Sequence, residues 1–64
     1  MSYEVFRRRV KKYLSKSKSH AIFVHEDGRH IARCMDGVTI IGNTVSELVT
    51  VKWGYGHSAM IQLS

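Results

Sequence analysis

The sequence predicts one small α+β domain in which an N-terminal amphipathic helix packs on a curled antiparallel sheet of about five strands. Apolar residues recur at helical spacing near the start of the chain. Two Asp-Gly pairs then separate short apolar runs, and a glycine-rich tip lies near the end. Asp-Gly pairs typically join antiparallel strands, so the expected order is α-β-β-β-β-β, a meander. The length allows a single domain, residues 1–64, with one modest core.

The helix is expected over residues 3–16. Ser2 is a suitable N-cap, and Glu4 falls in the first turn, where the helix dipole favours an acid. The serine- and lysine-rich stretch 15–19 lacks periodicity and should connect the helix to the sheet. One apolar stripe at helical spacing supplies the face for the core. Its members are Tyr3, Phe6, Val10, Tyr13 and Leu14.

The rest of the chain has the pattern of short strands joined by turns. Asp27-Gly28 and Asp36-Gly37 predict two-residue type I′ turns, and Gly54-Tyr55-Gly56 predicts the tip of the last hairpin. The strands are expected at about 20–25, 29–35, 38–42, 47–53 and 57–63.

Two-residue turns fix the register and therefore the faces of the sheet. They set Phe23 beside Ala32, and Ala32 beside Ile41. The opposite face then carries Arg33 and a second apolar set: Ile22, Val24, Ile31, Met35, Val38 and Ile40. In the last hairpin one face carries Val49, Val51, Trp53, Ala59, Ile61 and Leu63. One helix covers one face, so we expect the second to be closed by curling, by a second copy of the chain, or by a target.

The positive charge is concentrated at the start of the chain. Residues 1–18 contain seven cations and one acid, a net charge of +6, whereas residues 19–64 have a net charge of −1. Clustered Lys and Arg bind phosphate backbones, so this segment is the predicted binding site for nucleic acid or another anionic partner. The alternative is a solvated helix face. The candidate residues are Arg7, Arg8, Arg9, Lys11, Lys12, Lys16 and Lys18, of which Arg8, Lys12 and Lys16 lie opposite the apolar stripe.

Aromatic residues cluster at the tip of the last hairpin. Trp53 is expected in the core, whereas Tyr55 is expected to project and to be available for contact with an unpaired base or a protein partner. His57 lies beside them.

Two histidines should face each other across the first hairpin. His25 and His30 are expected as an exposed pair on the same face as Cys34. Their spacing matches no zinc signature, so we expect neither a metal nor a cofactor.

The small number of cysteines, acids and long apolar runs bears on the cellular compartment and on catalysis. Cys34 is the single cysteine and cannot close a disulfide, which fits a reducing compartment. No apolar run approaches about 18 residues, and the pattern of a signal peptide is missing. We therefore expect a cytoplasmic protein without a membrane partner. Few acids are available for catalysis, and a non-enzymatic role is expected.

Residues 19–29 resemble the second-strand region of small HicA-type ribonuclease toxins. In that family a helix precedes a short sheet, and a histidine near a Ser-His step serves RNA cleavage. The resemblance implies His20 for that role. Lys18 stands where the family has a characteristic glycine, a second helix is missing, and two strands are additional.

Three functions are therefore expected in descending order. The first is nucleic-acid binding through the cationic helix, with the sheet as a platform or a homodimer surface. The second is a small protein-binding regulator, such as a phage-type inhibitor of host machinery, whose cations meet an acidic or nucleic-acid-binding protein. The third is a ribonuclease toxin that uses His20. No helix-turn-helix or RNA-recognition-motif signature indicates any sequence specificity.

Overall fold

In the computed structural model, which describes residues 1–64, one helix is followed by five antiparallel strands in a single open sheet. Each strand pairs with the next one in the chain. This confirms the α+β meander, and every expected element end lies within one residue of the observed one. The elements are α1 (Tyr3–Ser15), β1 (Ala21–Glu26), β2 (Arg29–Cys34), β3 (Thr39–Asn43), β4 (Leu48–Lys52) and β5 (Ser58–Gln62).

Helix α1 is capped at both ends. The Ser2 hydroxyl accepts a hydrogen bond from the Val5 amide at 3.2 Å, which confirms the expected N-cap. At the other end the Ser19 amide donates to the Leu14 carbonyl and the Lys18 amide donates to the Ser15 carbonyl. This pair of bonds is the Schellman arrangement, and Lys18 takes the left-handed position in it with φ 56°. The helix is neither long nor apolar enough to cross a membrane.

The core lies between α1 and one face of the sheet. Phe6 is fully buried and packs against Gly42, where an added Cβ would lie 2.9 Å from the Phe6 ring. Tyr13, which the periodicity placed in the stripe, is 45% exposed instead, because it lies at the edge of the buried face. The buried cluster comprises Met1, Phe6, Val10, Leu14, Ala32, Cys34, Ile40, Val49, Val51 and Leu63.

The first Asp-Gly turn has the expected form, and the second does not. Glu26 pairs with Arg29 around the left-handed residues Asp27 and Gly28, as a two-residue turn requires. In the second hairpin the Cys34 amide donates to the Val38 carbonyl at 2.8 Å, so Met35, Asp36 and Gly37 form a three-residue loop.

The extra loop residue shifts the pairing of β3 by one position. Ala32 lies beside Ile40 rather than Ile41. The expectation that Val38 and Ile40 lie on the face opposite Phe23 and Ala32 is therefore wrong, since a shift of one residue moves each side chain to the other face. Ile40 is buried beneath α1, and Ile41 takes its place on the other face.

The face of the sheet away from α1, here called the outer face, has no second layer. Val24, Ile31 and Ile41 lie side by side across β1 to β3, and the row continues through Thr50 and Met60. Met60 is 65% exposed, whereas Ile31 is buried among its neighbours. The sheet is thus open, with β1 and β5 as its edges, and the outer face is not closed by a barrel.

The expected pairing of His25 with His30 is present, but His30 is buried rather than exposed. The two rings lie 5.1 Å apart, and Tyr3 stacks on His25 at 4.9 Å. His30 is covered by the start of the helix and lies 5.3 Å from the Phe6 ring. Its Nε2 lies 2.9 Å from the Met1 carbonyl, which can only accept, so Nε2 holds the proton; the buried Nδ1 has no partner.

Candidate anion-binding surface

Three cations form a line along the solvent side of α1. Arg8, Lys12 and Lys16 are exposed, and we call them the outer row. They follow one another at i, i+4 spacing, which places successive members about 6 Å apart along the helix axis. None of them makes an ion pair; the single salt bridge of the protein joins Arg9 and Glu47. The outer row therefore offers three uncompensated positive charges on one side of the molecule.

Two further cations lie over aromatic rings on the β1 side of the helix. The Arg7 guanidinium is 5.2 Å from the centre of the Phe23 ring and 5.7 Å from that of Tyr3. The Lys11 ammonium is 5.9 Å from the Phe23 ring. An aromatic face attracts a cation without neutralising it, so both side chains are positioned while keeping their charge.

Arg9 differs from the other six candidate cations. Its guanidinium lies 3.2 Å from the Glu47 carboxylate, and its side chain is 30% exposed. Glu47 comes immediately before β4, so this pair ties the helix to the opposite side of the sheet from β1. A partly exposed ion pair stabilises the fold by about 1 kcal/mol at most. Its larger effect is to remove Arg9 from the set of free charges.

A groove between the end of α1 and β1 brings further candidates together. This β1-side groove has a volume of about 380 Å³ and contains Lys11, Lys18 and His20, with Phe23 at the sheet side. Lys18 and His20 are both exposed. The residue implied by the ribonuclease resemblance thus lies among the cations rather than apart from them.

On the other flank, a second concavity separates α1 from the sheet. We call it the Tyr13–Trp53 cleft after the two aromatic residues that line it, and its volume is about 380 Å³. Trp53 is half-buried rather than fully in the core. The remaining lining residues are Leu14, Lys16, Ser17, Asp36, Val38 and Val51.

The aromatic rings continue from the cleft to the tip of the β4–β5 hairpin. The Trp53 and His57 rings are 6.4 Å apart, and the His57 and Tyr55 rings are 5.7 Å apart. Tyr55 is 78% exposed, which confirms that it projects from the tip. Of these three rings, Trp53 shares the cleft with Lys16 at the end of the helix.

The sequence pattern does not predict the cleft, because helical periodicity places Tyr13 in the apolar stripe. One signal could have found it. Tyr13 lies three residues from Val10, about 60° away at 100° per residue, and thus at the edge of the apolar stripe. Residues at such an edge face the boundary between core and solvent.

Cys34 is unsuited to nucleophilic chemistry. The residue is buried, and burial raises the pKa of its thiol above the usual value of about 9. The Asp36 carboxylate raises this pKa further. Because the thiolate is the reactive form, a raised pKa lowers the fraction of reactive thiol near neutral pH.

The comparisons with known proteins give no relative. No protein-family model matches the chain, and neither the curated proteins nor the solved structures include a significant match.

Proposed function

We propose that this protein is a non-enzymatic domain that binds nucleic acid through the cationic side of α1. The observation that carries the proposal is that most cations of the helix have no acidic partner. Six of the seven candidate cations are free of acidic partners, and three of them form the exposed outer row. Phosphate backbones bind such clusters by releasing condensed counterions. The single free thiol also fits the reducing cytoplasm, where intracellular nucleic acid is found.

The outer row contributes little to the fold, which separates binding from stability. Its three side chains are exposed and make no hydrogen bond to another element. Removing them should leave the free energy of unfolding within about 0.5 kcal/mol of the wild-type value, as for most surface substitutions. Loss of binding in such a variant would therefore report on the surface and not on unfolding.

The test is a matched pair of triple alanine variants. One replaces Arg8, Lys12 and Lys16; the other replaces Arg29, Arg33 and Lys52, three exposed cations on the outer face. Both lower the net charge by the same amount. We expect the helix variant to lose at least tenfold in affinity for mixed-sequence DNA and RNA, measured by fluorescence anisotropy, and the outer-face variant to lose much less. Equal losses in both would contradict a defined site on α1.

The proposed lack of catalysis is tested by incubating RNA with the protein. RNA incubated with the wild-type protein is expected to remain intact. Cleavage that disappears in His20→Ala would contradict the non-enzymatic proposal and favour the ribonuclease alternative, since His20 lies in the β1-side groove with Lys11 and Lys18.

A second candidate function is that of a small protein-binding regulator. It is favoured by the outer face, where Val24, Ile41 and Met60 lie in one row without a covering layer. An acidic protein would bind the cations of the helix, and a second copy of the chain would bind the apolar outer face. Capture experiments with and without nuclease distinguish the two functions. A protein partner that survives nuclease treatment and is lost in Met60→Ser would favour the regulator.

A further inference from the structure

We infer that the Tyr13–Trp53 cleft takes an unpaired nucleobase, so that the nucleic acid held by the outer row is single-stranded. This inference rests on the function proposed above and names the class of nucleic acid. It starts from the position of the cleft: Lys16 belongs both to the outer row and to the cleft lining. Lys12 and Lys16 also adjoin Tyr13 in a small neighbouring pocket. A strand that follows the cations therefore passes directly by the opening.

The walls of the cleft suit a flat, partly apolar ring. Tyr13 comes from the helix and Trp53 from the end of β4, so the two aromatic side chains approach from different elements. The lining also includes Leu14 and Val51, both of which are buried in the core. Stacking of a base on an aromatic side chain is worth about 1–3 kcal/mol per base and tolerates any base.

Lys16 and Asp36 give the cleft lining one charge of each sign, so a phosphate is favoured beside Lys16 and disfavoured beside Asp36. The Asp36 carboxylate lies in the lining and accepts a hydrogen bond from the Val38 amide at 3.3 Å. A phosphate placed there would face this negative charge. A neutral base would instead offer ring or exocyclic N–H groups that a carboxylate accepts. Phosphates are thus expected outside, at Lys12 and Lys16, and the base inside.

A duplex cannot use this arrangement without disruption. Its bases are paired and stacked, and bringing one into a protein pocket costs a few kcal/mol of unstacking and unpairing. A single strand has unstacked bases available and needs no such step. The ring series Trp53, His57 and Tyr55 extends the platform beyond the cleft, so a second base has a surface to contact.

The protein contains its own reporter for this inference. Trp53 is the only tryptophan of the chain, so intrinsic tryptophan fluorescence monitors the surroundings of this one side chain, which lines the cleft and a second concavity beside His57. The probes are a single-stranded DNA of mixed sequence, the RNA of the same sequence, and the corresponding DNA duplex. We expect both single strands to quench Trp53 fluorescence on binding, and the duplex to bind more weakly and to quench little.

The variant is Tyr13→Ala, with two controls. Tyr13 is half-exposed, so the variant is expected to fold, and circular dichroism checks this. Loss of one stacked base should lower single-strand affinity by about 5- to 150-fold and leave duplex affinity unchanged. Tyr13→Phe should retain single-strand binding because it keeps the ring. Ile22→Ala, which removes an exposed apolar side chain from the outer face, should have no effect.

The outcomes separate this inference from the proposed function. If duplex and single strands bind equally, or if Tyr13→Ala changes both alike, the base cleft is overturned while the phosphate-binding helix stands. If none of the three probes binds the wild-type protein, the proposed function itself fails. Selective loss of single-strand binding in Tyr13→Ala, together with quenching of Trp53, supports both.

Discussion

Lys18 occupies a backbone conformation that glycine adopts more readily. Its φ of 56° lies in the left-handed region, and its amide completes the C-terminal cap of α1. Most helices that end in this way use glycine at that position, because any Cβ is crowded there. A lysine at a site that favours glycine is consistent with a role for its charge, since Lys18 lies in the β1-side groove.

Replacing Lys18 should therefore separate stability from binding. Lys18→Gly is expected to raise the free energy of unfolding by about 0.5–1 kcal/mol, because the left-handed strain is relieved, while affinity for nucleic acid falls. Urea denaturation and anisotropy measure the two effects. Lys18→Ala is the matched control: it removes the same charge, keeps the strain, and should weaken binding to the same extent without the gain in stability. A stability loss in Lys18→Gly would show that the cap is not strained.

At Cys34 the expected result is a buried and unreactive thiol. Because burial, and secondarily Asp36, raise the pKa of the folded thiol, the folded protein favours the protonated form. The resulting stabilisation is fully present below the pKa of the unfolded thiol and is lost as pH rises through the folded pKa. We expect slow labelling by a thiol reagent at pH 8 in the native protein and fast labelling in urea. Fast labelling of the native protein would contradict this. So would a Cys34→Ser variant whose free energy of unfolding still falls over the same alkaline pH range as that of the wild type.

Local sequence patterns predict the helix and the strands, but they do not predict the register between β2 and β3. Periodicity, the Ser2 cap and the first Asp-Gly turn predict α1 and the first hairpin within one residue. The second Asp-Gly pair is compatible with a two-residue turn or with a three-residue loop that ends in a left-handed glycine. Gly37 has φ 87° in the three-residue form, and only tertiary packing selects it, since that register brings Ile40 under the helix.

Phe6 of the helix packs tightly against Gly42 in β3. An added Cβ would lie 2.9 Å from Phe6 Cδ1 and 3.3 Å from Val49 Cγ1, and both side chains are buried. Gly42→Ala is therefore expected to lower the free energy of unfolding by about 1–3 kcal/mol, as overpacking does. Thermal or urea denaturation measures this. Gly54→Ala, at a position with φ in the ordinary range and room for a methyl group, serves as the control. Equal effects at both glycines would refute a tight contact beneath Phe6.

Local sequence patterns do not predict which side chains become buried or paired where the helix packs on the sheet. His30 is buried because the start of α1 covers it, and Tyr13 is exposed because the helix rests on the sheet with that edge outward. Arg9 pairs with Glu47, which is far away in sequence. Each of these depends on the position of the helix relative to the sheet, which no short-range pattern encodes.

Across the whole molecule, the densest cationic surface and the uncovered apolar row lie on different sides. The cationic side of α1 lies over one face of the sheet, with the Tyr13–Trp53 cleft on its flank, whereas the uncovered apolar row lies on the outer face. The cationic segment can be read directly from the sequence, because the positions of Lys and Arg along the chain define it. The cleft was not predictable, because it is formed by residues of the helix, the second turn and β4 together.

The most direct test of the central claim is the salt dependence of nucleic-acid affinity. Binding by about six cations predicts that the wild-type protein loses roughly 10³-fold in affinity for duplex DNA, and roughly 300-fold for a single strand, between 50 and 200 mM salt. In the Arg8/Lys12/Lys16 triple alanine variant, the slope of log affinity against log salt should fall by about 2–3, whereas the Arg29/Arg33/Lys52 variant should keep the wild-type slope. A wild-type affinity that is independent of salt, or a helix variant with an unchanged slope, would contradict the account.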